Sequence, residues 1–461
     1  MSDTELPKAA TNQPRRSMNC SIVTAITTVI GEVCLGGHIL VLIALKFGAG
    51  SSFLGLLSFA ALAPLSCLVF TMKAVERIGK RKILIQWYSV AILFVLPFMF
   101  LPVLGRHWPG WLCLWLILIV TLLRSLTNAF GNAGWWPLLQ DIVPTNITGR
   151  FFARLRTYWQ SAWLIVALGS ALLLRDKPDW WKFEIIFAAA LLAYLVRVLS
   201  IIPIVERPLA TGQSGQRSIL SHFIEVIQNK PLRLLVIYLV IYMAGVTIAE
   251  PFKIKMLKDS GCSYGLILAA TSMVPLGAIV MLRFWGRLAD RFGNRIIFSL
   301  SHIAMIIVST LWVVASVNTF NVAFIFALYF FWSLFDCGSR IAQTRYIMHV
   351  VPRDKQNQIN VINLWVWLTM ACAPLFGGFF LHIWEHLQSA PTAGSLQGGY
   401  SVLFAVSAML FVPPFILRKK LRSKKDMPTA YVVALAVRPL RNIFGPFIMP
   451  TKKTLGKSTP L

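Results

Sequence analysis

Gly286-Arg287-Leu288-Ala289-Asp290-Arg291-Phe292-Gly293-Asn294-Arg295 is an island of charge between two long apolar runs, 264–285 and 296–316. Each run is about the length a helix needs to cross a bilayer, roughly 20 residues. The island holds four ionised side chains, and Gly293 allows a tight turn. Such a segment reads as a chain that leaves one membrane span, turns in water, and enters the next.

Outward from this island the pattern recurs along the whole chain. Apolar runs fall at 20–45, 52–72, 84–104, 111–140, 158–175 and 183–205, then at 232–257, 264–285, 296–316, 320–348, 359–386 and 399–417. Composition agrees. Of 461 residues, 57% are hydrophobic and only 13% charged, too few to coat soluble domains, in which roughly 25% are charged. The expected fold is all-α and polytopic: twelve transmembrane helices in two six-helix bundles. The first run is too long for a signal-peptide core, so it is expected to remain as a span.

The net charge of +27 does not signal nucleic-acid binding, because Lys and Arg gather in short clusters between apolar runs. Lys73, Arg77, Lys80, Arg81 and Lys82 follow the second span, Arg150, Arg154 and Arg156 the fourth, and Arg287, Arg291 and Arg295 the eighth. The opposite connections carry few. By the positive-inside rule both termini are expected in the cytoplasm, with the chain in the inner (cell) membrane. The Asn146-Ile147-Thr148 sequon then lies inside and is not expected to be glycosylated. Seven dispersed cysteines without a CxxC pair exclude a zinc or disulfide framework.

Residues 206–231 form the longest inside connection and divide the chain. The expected organisation is an N-terminal tail (1–19), a six-helix bundle (20–205), a linker (206–231), a second bundle (232–417) and a basic tail (418–461). That tail holds eleven of the 44 basic residues and is expected to rest on anionic lipid. The halves repeat. Ser52 pairs with Ser263, Pro144 with Pro352, and Gly79 with Gly293, at offsets of 211, 208 and 214. Parallel duplication of this kind is a transporter architecture with its site between the halves near the midplane.

The island closely resembles the loop signature of the major facilitator superfamily, Gly-x-Leu-Ala-Asp-Arg-x-Gly-Arg-Arg/Lys. Residues 72–82 are a degenerate copy, with Met72 and Glu76 in place of Gly and Asp. The segment 135–152, from Trp135-Trp136-Pro137 to Gly149-Arg150-Phe151, is similar to the fourth-span end of bacterial members. The resemblance implies secondary transport by alternating access. A charged latch is expected at Glu76, Arg77, Gly79, Gly286, Asp290, Arg291, Gly293 and Arg295, where Gly286 would let two helices approach and Asp290 would receive cationic donors.

Ionised groups inside a membrane cost about 2.5–3.5 kcal/mol each on insertion scales and need a reason. Glu32, His38, Arg124, Arg197, Glu250, Asp336 and Arg340 fall inside spans. Asp336 and Arg340 are four apart and share a helical face with Gln343 and Thr344. They either line a cavity or form a self-neutralising pair. Glu32 near Arg124 would make a protonation switch or a structural pair. Arg197 would snorkel toward water, with a role in the site as the alternative. Glu250-Pro251 marks a bend and an outer gate, with Lys253 and Lys255 reaching outer water. Trp108, Trp111, Trp180 and Trp181 suit the membrane interface, whereas Trp135, Trp136, Trp365 and Trp367 lie nearer the cavity.

The substrate and coupling residues expected are therefore Glu32, Arg124, Asn128, Trp135, Asp336, Arg340, Gln343 and Trp365. Aromatic faces place sugars slightly ahead among substrates, with a proton or sodium ion as coupling ion. The fifth span reads Val166-Ala167-Leu168-Gly169-Ser170-Ala171 and lacks the Gly-Pro-x-x-Gly-Gly of drug antiporters, which ranks drug or metabolite export lower. A solute sensor without flux is a further reading. No P-loop, clustered catalytic set, metal-ligand set or cofactor motif is present, so neither an enzyme nor an ATP-driven pump is expected. The working form expected is a monomer in contact with membrane lipid, its small-molecule substrate and no nucleic acid.

Overall fold

A computed structural model describes residues 8–144, 147–176, 178–206, 219–317, 321–351, 357–387 and 393–421. The sequon Asn146, residues 207–218 of the central linker and the tail beyond 421 lie outside the described residues. Twelve described helices are long and apolar enough to cross a membrane. We label them α1 (Arg15–Lys46), α2 (Ser51–Leu68), α3 (Lys80–His107), α4 (Gly110–Ile142), α5 (Arg150–Leu174) and α6 (Trp180–Ile201). The second half supplies α7 (Lys230–Asp259), α8 (Tyr264–Phe292), α9 (Asn294–Val317), α10 (Val322–Val350), α11 (Gln358–Leu387) and α12 (Gln397–Leu417).

The duplication visible in the sequence is repeated in the packing. In the first bundle α1 packs on α5 and α6, α2 on α4, and α3 on α4 and α6. In the second, α7 packs on α11 and α12, α8 on α10, and α9 on α10 and α12. The turn glycines match as well. Gly79 and Gly293 both have positive φ, +98° and +82°, conformations that side chains with a Cβ rarely adopt. The interruptions are paired too. One helical segment of α1 ends at Cys34 and the next starts at Gly37, while in α7 one ends at Thr247 and the next starts at Glu250. The bend expected at Glu250-Pro251 is therefore real, with Pro251 in the first turn where its missing N–H costs nothing.

Across the halves the main contacts are α2 with α11 and α5 with α8, two seams that exchange under the repeat. Both are tight at one end. A Cβ on Gly55 would lie 2.7 Å from the Pro374 carbonyl, and one on Gly378 would lie 2.6 Å from that of Ser51. On the other seam Gly265 donates its N–H to the Arg175 carbonyl at 2.6 Å. The lipid-facing sides carry Leu93, Phe100, Ile165, Leu172, Leu192 and Leu199, all exposed, as a bilayer requires and water would not tolerate. Trp108, Trp111 and Trp181 are exposed near span ends. Trp180 departs from that role: it stacks on Phe47, with the Lys46 ammonium 4.0 Å above its ring.

Candidate functional site

In the first bundle, polar side chains from four helices form one network. The interruption at Leu35 in α1 frees a carbonyl, which accepts from Arg124 of α4 at 3.0 Å. Arg124 also donates to the Tyr194 hydroxyl at 2.9 Å, and Asn128 donates to the same oxygen at 2.9 Å. Arg197 of α6 donates to Asn128 at 2.9 Å and to Asn132 at 3.4 Å. Its guanidinium lies 3.4 Å from the centre of the Tyr88 ring of α3. Two glycines leave room for these rings: a Cβ on Gly31 would strike Tyr194, and one on Gly131 would strike Tyr88. Arg124 and Arg197 are buried, and each keeps an Nε without a partner among the described residues.

Glu32 stands exposed in the middle of α1, and Arg197, then Arg124, are the charges that act on it most strongly. The expectation that Arg197 snorkels is overturned. Its position three residues after Tyr194 puts both on one face of α6, turned into the bundle. Tyr88, Asn132 and Tyr194 were not singled out in the sequence, because single tyrosines and asparagines in apolar runs carry no local mark.

The second bundle holds a matching network. Asp336 and Arg340 of α10 form an ion pair at 2.6 Å, and the Tyr242 hydroxyl of α7 donates to Asp336 at 2.9 Å. Gln343 donates to Tyr238 at 3.3 Å, and Tyr238 lies 3.0 Å from His302 of α9. Gln343 is thus buried inside the bundle and does not extend the exposed stripe, whereas Thr344 does. Arg156 of α5, in the other half, is exposed and within electrostatic reach of Asp336 and Arg340. Trp365 is exposed on α11. Trp135 is half-buried and packs against the cluster that holds Leu84, Tyr88 and Leu138 within the first bundle.

One end of the gap between the halves is shut by polar ties. His38 of α1 meets Glu250 of α7 at 3.7 Å. Ser51 of α2 donates to Glu385 of α11 at 2.6 Å. Behind them Lys253 pairs with Glu250 at 2.8 Å and lies 3.7 Å over the Trp332 ring. Lys255 reaches Asp259, Glu385 and the Tyr400 hydroxyl. The expectation that Lys253 and Lys255 reach outer water is therefore overturned. Both are buried, because carboxylates and aromatic rings converge on them from α7, α10, α11 and α12.

At the opposite end the charged contacts seen among the described residues lie within each half. Asp290 accepts from Arg345 at 2.6 Å, both in the second bundle. Lys80 pairs with Asp141 at 2.7 Å in the first, and Glu206 accepts from the backbone N–H of Lys80 and Arg81 at the start of α3. Lys80, Asp141 and Glu206 were not foreseen in the latch. Arg77 is exposed, Arg291 lies 5.2 Å from the Phe292 ring, and Arg295 follows the turn at Gly293. The Glu76 side chain lies outside what the structure describes. Gly286 faces open space in this conformation, with no atom within 4 Å of where a Cβ would lie, so the close helix approach expected there is not made here. An apolar recess of about 430 Å³ lined by Leu93, Phe100 and Trp108 lies on the α3–α4 surface and offers only carbon.

The model of the Major Facilitator Superfamily matches residues 21–360 and 234–451. Among solved structures, the chain is similar to the D-xylose-proton symporter at TM-score 0.65 and 13% identity, covering 90% of this chain and 99% of that one. It is similar to the nucleoside transporter NupG at TM-score 0.62 and 13% identity, covering 88% and 99%. A third likeness is to a bacterial homologue of the human lysosomal transporter Spinster, solved inward-facing and unoccupied. The TM-score is 0.63 at 11% identity, covering 91% and 99%. No curated protein matches the sequence.

Proposed function

This chain belongs to the major facilitator superfamily, and from that premise we propose that it carries a small polar solute across the cell membrane by alternating access. One observation carries the reading. Ionised side chains stand at mid-depth in both halves, the exposed Glu32 near the buried Arg124 and Arg197 in one and the Asp336–Arg340 pair in the other, and His38–Glu250 and Ser51–Glu385 tie the halves at one end. A gap shut at one end and polar at mid-depth is what a carrier needs to expose its site to one side at a time.

In this reading the bundles 20–205 and 232–417 rock about the seams α2–α11 and α5–α8. The tied end faces outward, and both termini face the cytoplasm, in keeping with the cluster of Lys and Arg at the untied end. Asp290–Arg345 and Lys80–Asp141, with the turns at Gly79 and Gly293, brace the inner ends of the two halves. Glu32 and Asp336 couple flux to a proton, each gaining or losing it beside an arginine. A sugar-like solute suits Trp365 and Asn128, and a xylose symporter stands among the structural neighbours.

The test is uptake of labelled sugars, amino acids and short peptides into proteoliposomes of the purified chain, with and without an inward proton gradient. Accumulation driven by the gradient and lost in Glu32→Gln is the expected result. Flux out of inside-loaded vesicles alone would favour an exporter. Saturable binding without flux in either direction would sink transport and leave a sensor.

A further inference from the structure

The cargo itself is constrained by charge, and the inference below rests on the transporter reading above. Six ionised side chains share one depth: Glu32, Arg156, Asp336 and Arg340 are exposed or partly exposed, while Arg124 and Arg197 are buried in the first bundle behind them. Each stands roughly 14–18 residues from the closed end of its span, or about 21–27 Å deep at 1.5 Å per residue. They therefore form one layer, although they come from α1, α4, α5, α6 and α10. Four of the six are arginines and two are carboxylates.

The pairing within the layer is uneven. Asp336 and Arg340 neutralise each other at 2.6 Å. Glu32 offsets one positive charge shared between Arg197 and Arg124. Among the described residues those two arginines have only neutral hydrogen-bond partners: a carbonyl, two asparagines and a tyrosine. Arg156 faces the already neutral Asp336–Arg340 pair from across the gap. The layer thus carries an excess of two positive charges. The carboxylates at the closed end do not relieve it, because Glu250, Asp259 and Glu385 are engaged by Lys253 and Lys255.

Arginine is a strong choice for this task. Its charge is permanent, and its planar fork matches carboxylate and phosphate oxygens in a bidentate fashion. A neutral solute would leave the excess in a gap from which closure must expel water, whereas an anion would remove it on binding. We propose that the solute carried is a small organic anion, its carboxylate or phosphate group held by Arg156, the exposed arginine of the layer, while the buried Arg124 and Arg197 supply positive charge from behind Asn128. The remaining hydroxyl or ring atoms would lie against Asn128 and the exposed face of Trp365.

The test uses the full chain, first in detergent and then in liposomes, with two compound pools. The neutral pool holds hexoses, pentoses and nucleosides. The anionic pool holds sugar acids, mono- and dicarboxylates and sugar phosphates. Thermal unfolding midpoints are expected to rise with the anionic pool alone. Splitting that pool tells carboxylate from phosphate. Arg156→Gln, at an exposed position where folding is not at stake, is expected to weaken anion affinity about tenfold, with Arg156→Lys recovering part of it. Arg197→Gln, which removes positive charge without removing a direct contact, is expected to weaken affinity less than Arg156→Gln, and its secondary structure would be checked separately. Stabilisation by the neutral pool with indifference to anions would overturn the inference and leave the carrier intact. Silence from both pools would overturn it too. Anion binding without flux would uphold the charge argument and sink transport.

Discussion

The Tyr194 hydroxyl accepts from Arg124 and from Asn128, both at 2.9 Å, so one oxygen holds two donors from α4 against α6. Tyr194→Phe leaves both donors unsatisfied in a buried place, at about 1–3 kcal/mol. A lower unfolding temperature with weaker solute binding is expected, and an unchanged midpoint would mean that water replaces the hydroxyl. At the closed end, Lys253 is 2% exposed in its side chain and has Glu250 as its carboxylate. Glu250→Gln removes that partner and frees His38, at up to about 3 kcal/mol, since breaking a buried pair strands the other charge. Thermal unfolding measures it. Glu250→Gln together with Lys253→Met is expected to recover most of the loss. At this scale the sequence pointed to Glu32, Arg124, Asp336 and Arg340 by the cost of charge in a membrane. It could not point to Tyr88 or Tyr194, because a hydroxyl in an apolar run is equally at home in a packed core.

Helices α2 and α11 meet backbone to backbone because Gly55 and Gly378 present no Cβ to the opposite chain. Leucine at either position cannot be housed without parting the helices, for the obstructing atoms are main-chain oxygens. Gly378→Leu is thus expected to favour the opposite conformation. Thiol labelling at a cysteine placed at Ser51 should then rise, and unchanged labelling would show that the seam yields locally. The break in α7 works differently. Pro251 occupies a first-turn position, so Pro251→Ala costs little stability and the break persists. Element positions and the turn glycines were legible in the sequence, since run length and charge islands obey the bilayer. The surroundings of Gly286 were not: close approach depends on which face of α8 meets a neighbour, and in this conformation Gly286 faces open space.

For the whole molecule, the two halves touch at one end and part at the other, and transport requires that arrangement to invert. Ser51 and Glu385 sit on opposite halves, 2.6 Å apart at their oxygens. Cysteines at both positions, in a background without the seven native ones, can be bridged by a short bifunctional thiol reagent. The bridge is expected to stop flux while leaving solute binding from the untied side, and a reducible reagent should restore flux on reduction. Undiminished flux in the bridged protein would mean that this end never opens. The sequence by itself determined that the chain crosses a membrane twelve times, that its halves are duplicates, and which ionised residues lie within the spans. These follow from local causes: apolar length, the position of Lys and Arg, and glycine at a turn. Only the tertiary structure decided that Arg197 is buried over Tyr88, that Lys253 and Lys255 are enclosed at the shut end, and that Arg156 comes within electrostatic reach of Asp336 and Arg340. Those depend on which helix faces meet across hundreds of residues. Packing alone sets that geometry, and no local pattern records it.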